Sequence, residues 1–384
     1  MSATSAQLPD GCPPLISYYV YLTGGCNLAC QHCWLSPKFL QNGDAGICLD
    51  YDLFRQAVEE AIPLGLNGIK LTGGEPLLHP DFVRMVDLIA QKGLVLTIET
   101  NGTLLTRSLA RYLKDKSTLN NISVSLDGAK AETHDRHRGV EGSFEKACNA
   151  IRYLVEVGYR PQVIMSLYTD SIGEIEALVQ MAENLGAGSV KFNLIQPTGR
   201  GALMKARGQV LDLQRQIELG RWVEDELQER VSIPLRYSWP MAFFSIRNLL
   251  HYHGHTCSVF SILGLLPTGH LAMCGIGVHV PELCYGKIGE DPVANVWTSN
   301  PVLLELRKSL PHKLEGICGE CLFRDRCLGN CIAHSYYSAG HLMASDRFCQ
   351  EAADAGLFPS SRRHIEYKEK TEVARSQNVL IRKG

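Results

Sequence analysis

The chain has 384 residues, 45% hydrophobic and 20% charged, with a formal net charge of −2 and no basic excess of the kind a nucleic-acid surface requires. Met1 to Asp10 lack a charged start followed by an apolar core, and no run of about 18 apolar residues occurs, so neither a secretory signal nor a membrane span is expected. Fourteen cysteines then belong in a reducing, cytoplasmic setting, where clustered thiols are metal ligands rather than disulfides.

The first element is the apolar run Tyr18-Tyr-Val-Tyr-Leu-Thr23, a strand. Helical spacing over Tyr51 to Leu64, with Asp50 as the cap, is followed by a strand at Gly68 to Thr72. The alternation continues: helix Phe82 to Gln91, strand Leu94 to Ile98, helix Ser108 to Leu113, strand Ile122 to Leu126. It closes with helix Phe144 to Val157, strand Val163 to Leu167, helix Ile172 to Leu185 and strand Val190 to Ile195. Six such units predict parallel strands with same-handed crossovers, a partial β/α barrel whose chemistry gathers at the C-terminal ends of the strands. A long polar helix around Leu211 to Glu229 and a strand-like segment ending at Trp239-Pro240 lead to a boundary placed at 240. Four segments result: 1–15, a barrel over 16–240, a cysteine-rich domain over 241–355, and a charged tail over 356–384. The tail from Ser360 is expected to fray.

Directly after the first strand comes Cys26-Asn-Leu-Ala-Cys30-Gln-His-Cys33. Three thiolates from one loop can hold three irons of a cubane cluster and leave the fourth open for a small chelating molecule. A structural zinc wants four ligands, usually as two paired knuckles, and this loop has three. Downstream, Cys257, Cys274 and then Cys318-x2-Cys321-x5-Cys327-x3-Cys331, with Cys349 last, crowd into a stretch of fading periodicity, where metal ligation can replace a core. Spacing does not name the metal, so a pair of zinc ribbons remains open for this half. Cys12, Cys48 and Cys148 have no partners at useful spacing and read as free thiols. His251-Tyr-His-Gly-His255 is either a cavity lining or, more plainly, a solvated loop.

Cys-x3-Cys-x2-Cys after a first strand resembles the radical S-adenosylmethionine (SAM) enzymes, and the downstream cysteines resemble their SPASM subgroup, with residues 16 to 350 covered in the right order. The resemblance implies an α/β fold: a partial (β/α)6 radical SAM barrel followed by a cysteine-rich SPASM domain holding two auxiliary Fe-S clusters. It implies three [4Fe-4S] clusters and SAM as cofactors. Cys26, Cys30 and Cys33 would hold the SAM-binding cluster. Cys318, Cys321, Cys327 and Cys349 would hold the outer auxiliary cluster, and Cys257, Cys274 and Cys331 the inner one, with Cys284 either its fourth ligand or a buried thiol.

By the same resemblance Gly73-Gly74-Glu75 binds the amino group of SAM; the glycines let a ligand approach the backbone and the carboxylate pairs with an ammonium. Asn101 in Glu99-Thr-Asn-Gly102 and Ser125 in Ser125-Leu-Asp-Gly128 end neighbouring strands where SAM would lie. Arg136, in His134-Asp-Arg-His-Arg138, would grip the SAM carboxylate, with Arg138 as competitor. His32 takes the place of an aromatic ring near the adenine.

The function implied is a peptide maturase that cleaves SAM to a 5'-deoxyadenosyl radical and oxidatively cross-links a ribosomally made precursor peptide. Its partners would be that peptide, a separate leader-recognition protein and an electron donor such as flavodoxin or ferredoxin, with no nucleic acid and no membrane. Only 25 residues precede Cys26, too few for a leader-binding domain. Haem or quinone-cofactor synthesis is an alternative. Anaerobic sulfatase maturation is disfavoured by Gly275, where that branch has an acidic residue, and by the absence of a cysteine close after Cys257. A non-catalytic iron-sulfur carrier or zinc-braced binding protein would leave Glu75, Ser125 and Arg136 without a shared purpose.

Overall fold

A computed structural model describes residues 8–251 and 257–364. Its main sheet has ten strands: β1 Ser17–Tyr21, β2 Gly68–Thr72, β3 Val95–Thr100, β4 Leu119–Ser125, β5 Gln162–Leu167, β6 Ser189–Leu194, β7 Leu235–Tyr237, β8 Ile262–Leu265, β9 His270–Ala272 and β10 Cys284–Lys287. The spatial order is β10-β9-β8-β1-β2-β3-β4-β5-β6-β7. The run from β8 to β7 is parallel, while β9 and β10 pair antiparallel at one edge. The fold is mixed α/β with a parallel core and a cysteine-rich C-terminal region, as expected. The six-strand estimate gains two members. One is β7, a three-residue strand too short for a periodic signal. The other is β8, which comes from beyond position 240 and pairs with β1, so the barrel sheet continues into the cysteine-rich half.

The helices cover one face for the reason the pattern implied. In α1, Tyr51–Ala61, the buried residues are Phe54, Ala57, Val58 and Ala61, and the Asp50 carboxylate accepts from the backbone N–H of Asp52 and Leu53. Burying a side chain such as Phe54 contributes about 1.5–3 kcal/mol. The crossovers α2 Phe82–Gln91, α3 Arg107–Lys116, α5 Ser143–Glu156 and α6 Ile175–Asn184 do the same. Between α3 and α5 lies α4, Ala131–Arg138, a helix the periodicity did not reveal because its sequence, AETHDRHR, has no apolar stripe. After β6, α7 Arg200–Ala206 was likewise unforeseen.

Two other expectations need correction. The polar helix over Leu211 to Glu229 is broken: α8 runs Leu213–Trp222, then Val223–Leu227 widens into a π turn and Gln228–Arg230 tightens. The widening lets Glu224 accept a 2.8 Å hydrogen bond from the Trp239 indole, whose ring lies against Gly220. The tail does not fray at Ser360. Arg363 bridges to Cys321, Arg362 donates to the Phe244 carbonyl at 3.2 Å, and Phe358 packs on Phe243, so this stretch is pinned to the cysteine region.

The opposite face of the sheet is unusual for a barrel. Closed β/α barrels fill their interior with bulky aliphatic side chains. Here the inward positions include Tyr19, Lys70, Thr97, Glu99, Lys191 and Asn193, all partly solvent-exposed. The interior is therefore a polar cavity, not a packed core.

Candidate active site

The cysteine loop leaves β1 and is held from three sides. From the β2 side, the Thr23 hydroxyl lies 3.1 Å from the carbonyls of Gly25 and Glu75, and Gly74 N–H donates to the Thr23 carbonyl at 3.0 Å. A Cβ on Gly74 would sit 1.8 Å from the Gly25 carbonyl, and Gly73 has φ +133° beside the Leu22 and Thr23 amides. What approaches these two glycines on the side a Cβ would take is the backbone of Leu22 to Gly25, which leads into the cysteine loop. From the α4 side, Ala29 N–H donates to the Arg138 carbonyl at 2.9 Å and Gln31 N–H to that of His137 at 3.0 Å. Two orphan carbonyls of the helix end are thus satisfied by the loop. From the α7 side, Arg200 donates through Nε to the Cys30 carbonyl at 2.7 Å and through Nη1 to the Pro37 carbonyl at 3.1 Å.

Cys26 and Cys30 are buried and Cys33 half-buried, each near enough to shift another's ionisation. Burial, then Glu75, pushes the Cys26 thiol up to about 12; burial also raises Cys30, while Arg138 opposes it. Such thiols ionise only if a strong positive charge joins them, as a metal does. Donors onto sulfur are in place for that state: Leu28 N–H lies 3.4 Å from the Cys26 sulfur, and Arg138 Nη1 lies 3.5 Å from that of Cys30. The donor set fits a cluster held by three thiolates.

Glu75 is 1% exposed. Its Oε1 accepts from the Thr100 hydroxyl at 2.6 Å and Leu77 N–H at 3.1 Å, and its Oε2 from Asn101 N–H at 2.8 Å. Burial pushes its carboxyl above the usual range despite these donors, and no cation among the described residues forms an ion pair with it, so a bound ammonium would complete the site. The Asn101 amide donates to Asn27 Oδ1 at 2.9 Å and lies 3.9 Å from the Cys26 sulfur, tying the end of β3 to the cysteine loop. Ser125 stands half-buried at the end of β4, its hydroxyl without a partner among the described residues.

The two arginines of α4 differ sharply. Arg136 is 62% exposed and faces Asp170 at 3.8 Å. Arg138 is buried, its Nε 2.6 Å from Oδ2 of the fully buried Asp127, whose other oxygen accepts from Ser166 N–H at 2.7 Å. Burial would lower the Arg138 ionisation, but Asp127 and Cys30 outweigh it; Arg138 in turn holds Asp127 far below the usual carboxylate range against burial. It is Arg138 that the fold brings to the cysteine loop. Its signal in the sequence was Gly139, which ends α4 with φ +76° and presses on Ala29.

His32, His137 and Tyr168 stack face to face at 4.6 and 4.1 Å. Ring nitrogens of His32 and His137 come within 4.8 Å of an Asp127 oxygen. Parallel rings do not converge their lone pairs on one ion, and Asp127 is already engaged by Arg138, so this column is a stack and not a metal site.

In the C-terminal half, Cys318, Cys321, Cys327 and Cys349 line one small cavity with Pro240, Ala242, Ile317, Arg324 and Phe358. Cys257, Cys274 and Cys331 form a separate set of mutual neighbours, each pushed up to about 12 by burial first and by another thiol of the set next. Cys284 is half-buried: its thiol lies 3.5 Å from the Gly277 carbonyl, and it packs with Tyr21, Leu266 and Ala272. Cys12 and Cys48 lie near the carbonyls of Pro13 and Gly46, and Cys148 is buried in the core. The segment read from His251 to His255 lies outside the residues whose side chains are described. Gly275 leaves no room for an acidic side chain, since a Cβ would sit 2.5 Å from the Tyr21 ring and 2.7 Å from that of Trp34.

Comparison with known proteins agrees with this architecture. Residues 20–182 match the model of the Radical SAM superfamily. An AdoMet-dependent heme synthase of Methanosarcina barkeri is 30% identical over 354 residues, covering 88% of this chain and 96% of the relative. The chain belongs to the radical SAM superfamily. The mycofactocin maturase MftC of Mycobacterium tuberculosis is 27% identical over 342 residues, 85% of this chain and 81% of that one. The crystal structure of Streptococcus suis SuiB bound to precursor peptide SuiA shares the fold, with a TM-score of 0.67 at 17% identity over 88% of this chain and 76% of SuiB. As a radical SAM enzyme of SPASM type, this chain uses SAM and a [4Fe-4S] cluster. No helix among the described residues is long and apolar enough to cross a membrane.

Proposed function

We propose that this radical SAM enzyme oxidatively modifies a ribosomally made precursor peptide. Cys26, Cys30 and Cys33 hold the cluster that chelates SAM, with Glu75 receiving its ammonium and Arg138, rather than the exposed Arg136, its carboxylate. The bound cluster and SAM together supply a one-electron reduction that yields a 5'-deoxyadenosyl radical able to take hydrogen from an unactivated carbon. The stacked His32 and His137 offer a flat face near the mouth, and the Ser125 hydroxyl is free to donate. Arg200, Asn101 and the two glycines fix the loop, so the reacting groups meet in one orientation.

Residues 241–355 are the auxiliary domain. Four thiols close the outer site and three hold the inner one, whose fourth position Cys284 leaves to water or substrate. The observation that carries this reading is the polar lumen itself. The cysteine loop bounds its mouth, and Cys274 perturbs Tyr21 and Lys70 in its wall, so hydrogen removal and electron removal both face one cavity. MftC and the peptide-bound SuiB support a peptide as the occupant. A tetrapyrrole is the second reading, favoured by the M. barkeri relative and by the cations of the lumen.

Anaerobically reconstituted protein incubated with SAM and dithionite should release 5'-deoxyadenosine. Incubation of the reduced holoenzyme and SAM with a candidate precursor peptide should give a product lighter by two hydrogens. Intact clusters with no 5'-deoxyadenosine would defeat the enzymatic reading, and iron and sulfide counts would separate clusters from zinc.

A further inference from the structure

The charges of the barrel lumen do not balance. Lys70 on β2 pairs with Glu99 on β3 at 2.6 Å, and its ammonium lies 4.6 Å from the centre of the Tyr19 ring. That uses the carboxylate of Glu99. Lys191 points inward from β6, half-buried, with no ion pair or hydrogen bond for its ammonium among the described residues. Beside it in register is Arg236 on β7, exposed and also without an ion pair among the described residues. Burial lowers the Lys191 ionisation, Glu99 opposes that, and Lys70 and Arg236 lower it further. Three cations therefore surround one carboxylate in a cavity lined by neutral side chains such as Thr97 and Asn193.

A half-buried ammonium next to a guanidinium is costly unless an anion answers both. If the lumen were only a wet channel, small neutral side chains would serve at these positions at lower electrostatic cost. No anionic residue of β5, β6 or β7 stands on the inward face to take that role, since the inward positions there are Gln162, Ile164, Ser166, Ser189, Lys191, Asn193 and Arg236. The missing anion is best brought by the ligand.

We propose that Lys191 and Arg236, backed by Lys70, form a carboxylate-binding subsite that orients the substrate in the lumen. The proposal rests on the lumen being the substrate cavity. The carboxylate belongs either to an acidic residue of a peptide or to a porphyrin propionate, and the test separates the two.

Binding to SAM-loaded holoenzyme is measured for two probe pairs: an acetylated Ala-Glu-Glu-Ala amide against its glutamine counterpart, and haem against its dimethyl ester. The expected result is that one acid binds at least tenfold tighter than its neutral partner, that Lys191→Met erases this preference and that Lys191→Arg keeps most of it. The pair that responds identifies the source. Equal binding within both pairs, no binding of either acid, or a preference that survives Lys191→Met would overturn the proposal. Iron content verifies that each variant is folded, and if Lys191→Met is not, Arg236→Met at the exposed neighbour must show the same loss. Absence of 5'-deoxyadenosine from the wild type would break the enzymatic reading and leave this binding comparison standing.

Discussion

The cysteine loop at the barrel mouth and the four-cysteine cavity in the C-terminal half offer the same donor group in different numbers. Around Cys26 and Cys30 stand a buried ion pair, an asparagine network and a carboxylate with three donors. Around Cys318, Cys321, Cys327 and Cys349 stand Pro240, Ala242, Ile317 and Phe358 together with Arg324 and the buried Asp346, whose backbone N–H lies 3.3 Å from the Cys318 sulfur. A set of three thiolates leaves a position at which a centre can accept a ligand; a set of four fills the positions and makes a centre that is closed and braces the chain.

The largest effect expected from this contrast is a split between activity and stability. Cys30→Ala should lower 5'-deoxyadenosine formation by roughly a thousandfold or more while shifting Tm by a few degrees. Cys349→Ala should instead remove metal-linked folding energy and lower Tm of the holoprotein by roughly 10 °C. Calorimetry and a single-turnover assay on both variants check this, and matching losses of Tm would dissolve the distinction.

Next comes the ion pair beside the loop. Arg138→Met strands the fully buried Asp127, at a cost of about 3–5 kcal/mol in denaturant unfolding, and should weaken SAM binding as well. Arg138→Lys should recover stability more than SAM affinity, because a point charge does not reproduce the planar fork.

Acid should loosen the mouth through His134. Its Nδ1 accepts from Asp127 N–H at 3.0 Å, so that nitrogen carries no proton, and burial lowers its ionisation from 6.5 to about 4. The unfolded chain takes a proton at pH values where the folded one refuses it. The stabilisation is therefore complete above pH 6.5 and is lost as pH falls toward 4, by up to about 3 kcal/mol. Urea midpoints between pH 7 and 4.5 should fall more steeply in the wild type than in His134→Gln.

The smallest effect belongs to Arg136. Its exposed contact with Asp170 contributes about 0–1 kcal/mol, so Arg136→Ala should change SAM affinity less than about fivefold. A loss as large as that of Arg138→Met would return the carboxylate grip to Arg136.

The β/α units were legible because burial writes a period into the chain. Phe54, Ala57, Val58 and Ala61 repeat at helical spacing, and Ile69 and Leu71 alternate with Gly68 and Lys70. The candidate ligand cysteines stood out for a different reason, their resemblance to a family pattern. Where a segment is held by polar contacts instead, the pattern fell silent. α4 has no apolar stripe because it is fixed at its C-terminal end by the loop carbonyl bonds and by Arg138, and Arg200 acts through two distant carbonyls.

The sequence by itself therefore determined the parallel β/α core through its local period, whereas the division of the thiols into sets and the part given to Glu75 are what the resemblance to radical SAM enzymes implies. Only the tertiary structure decided which arginine reaches the loop, that the barrel sheet runs on through β8, and that the lumen holds unanswered positive charge. Those outcomes depend on which distant side chains share a buried space, and electrostatic free energy there is set by separation and dielectric rather than by distance along the chain.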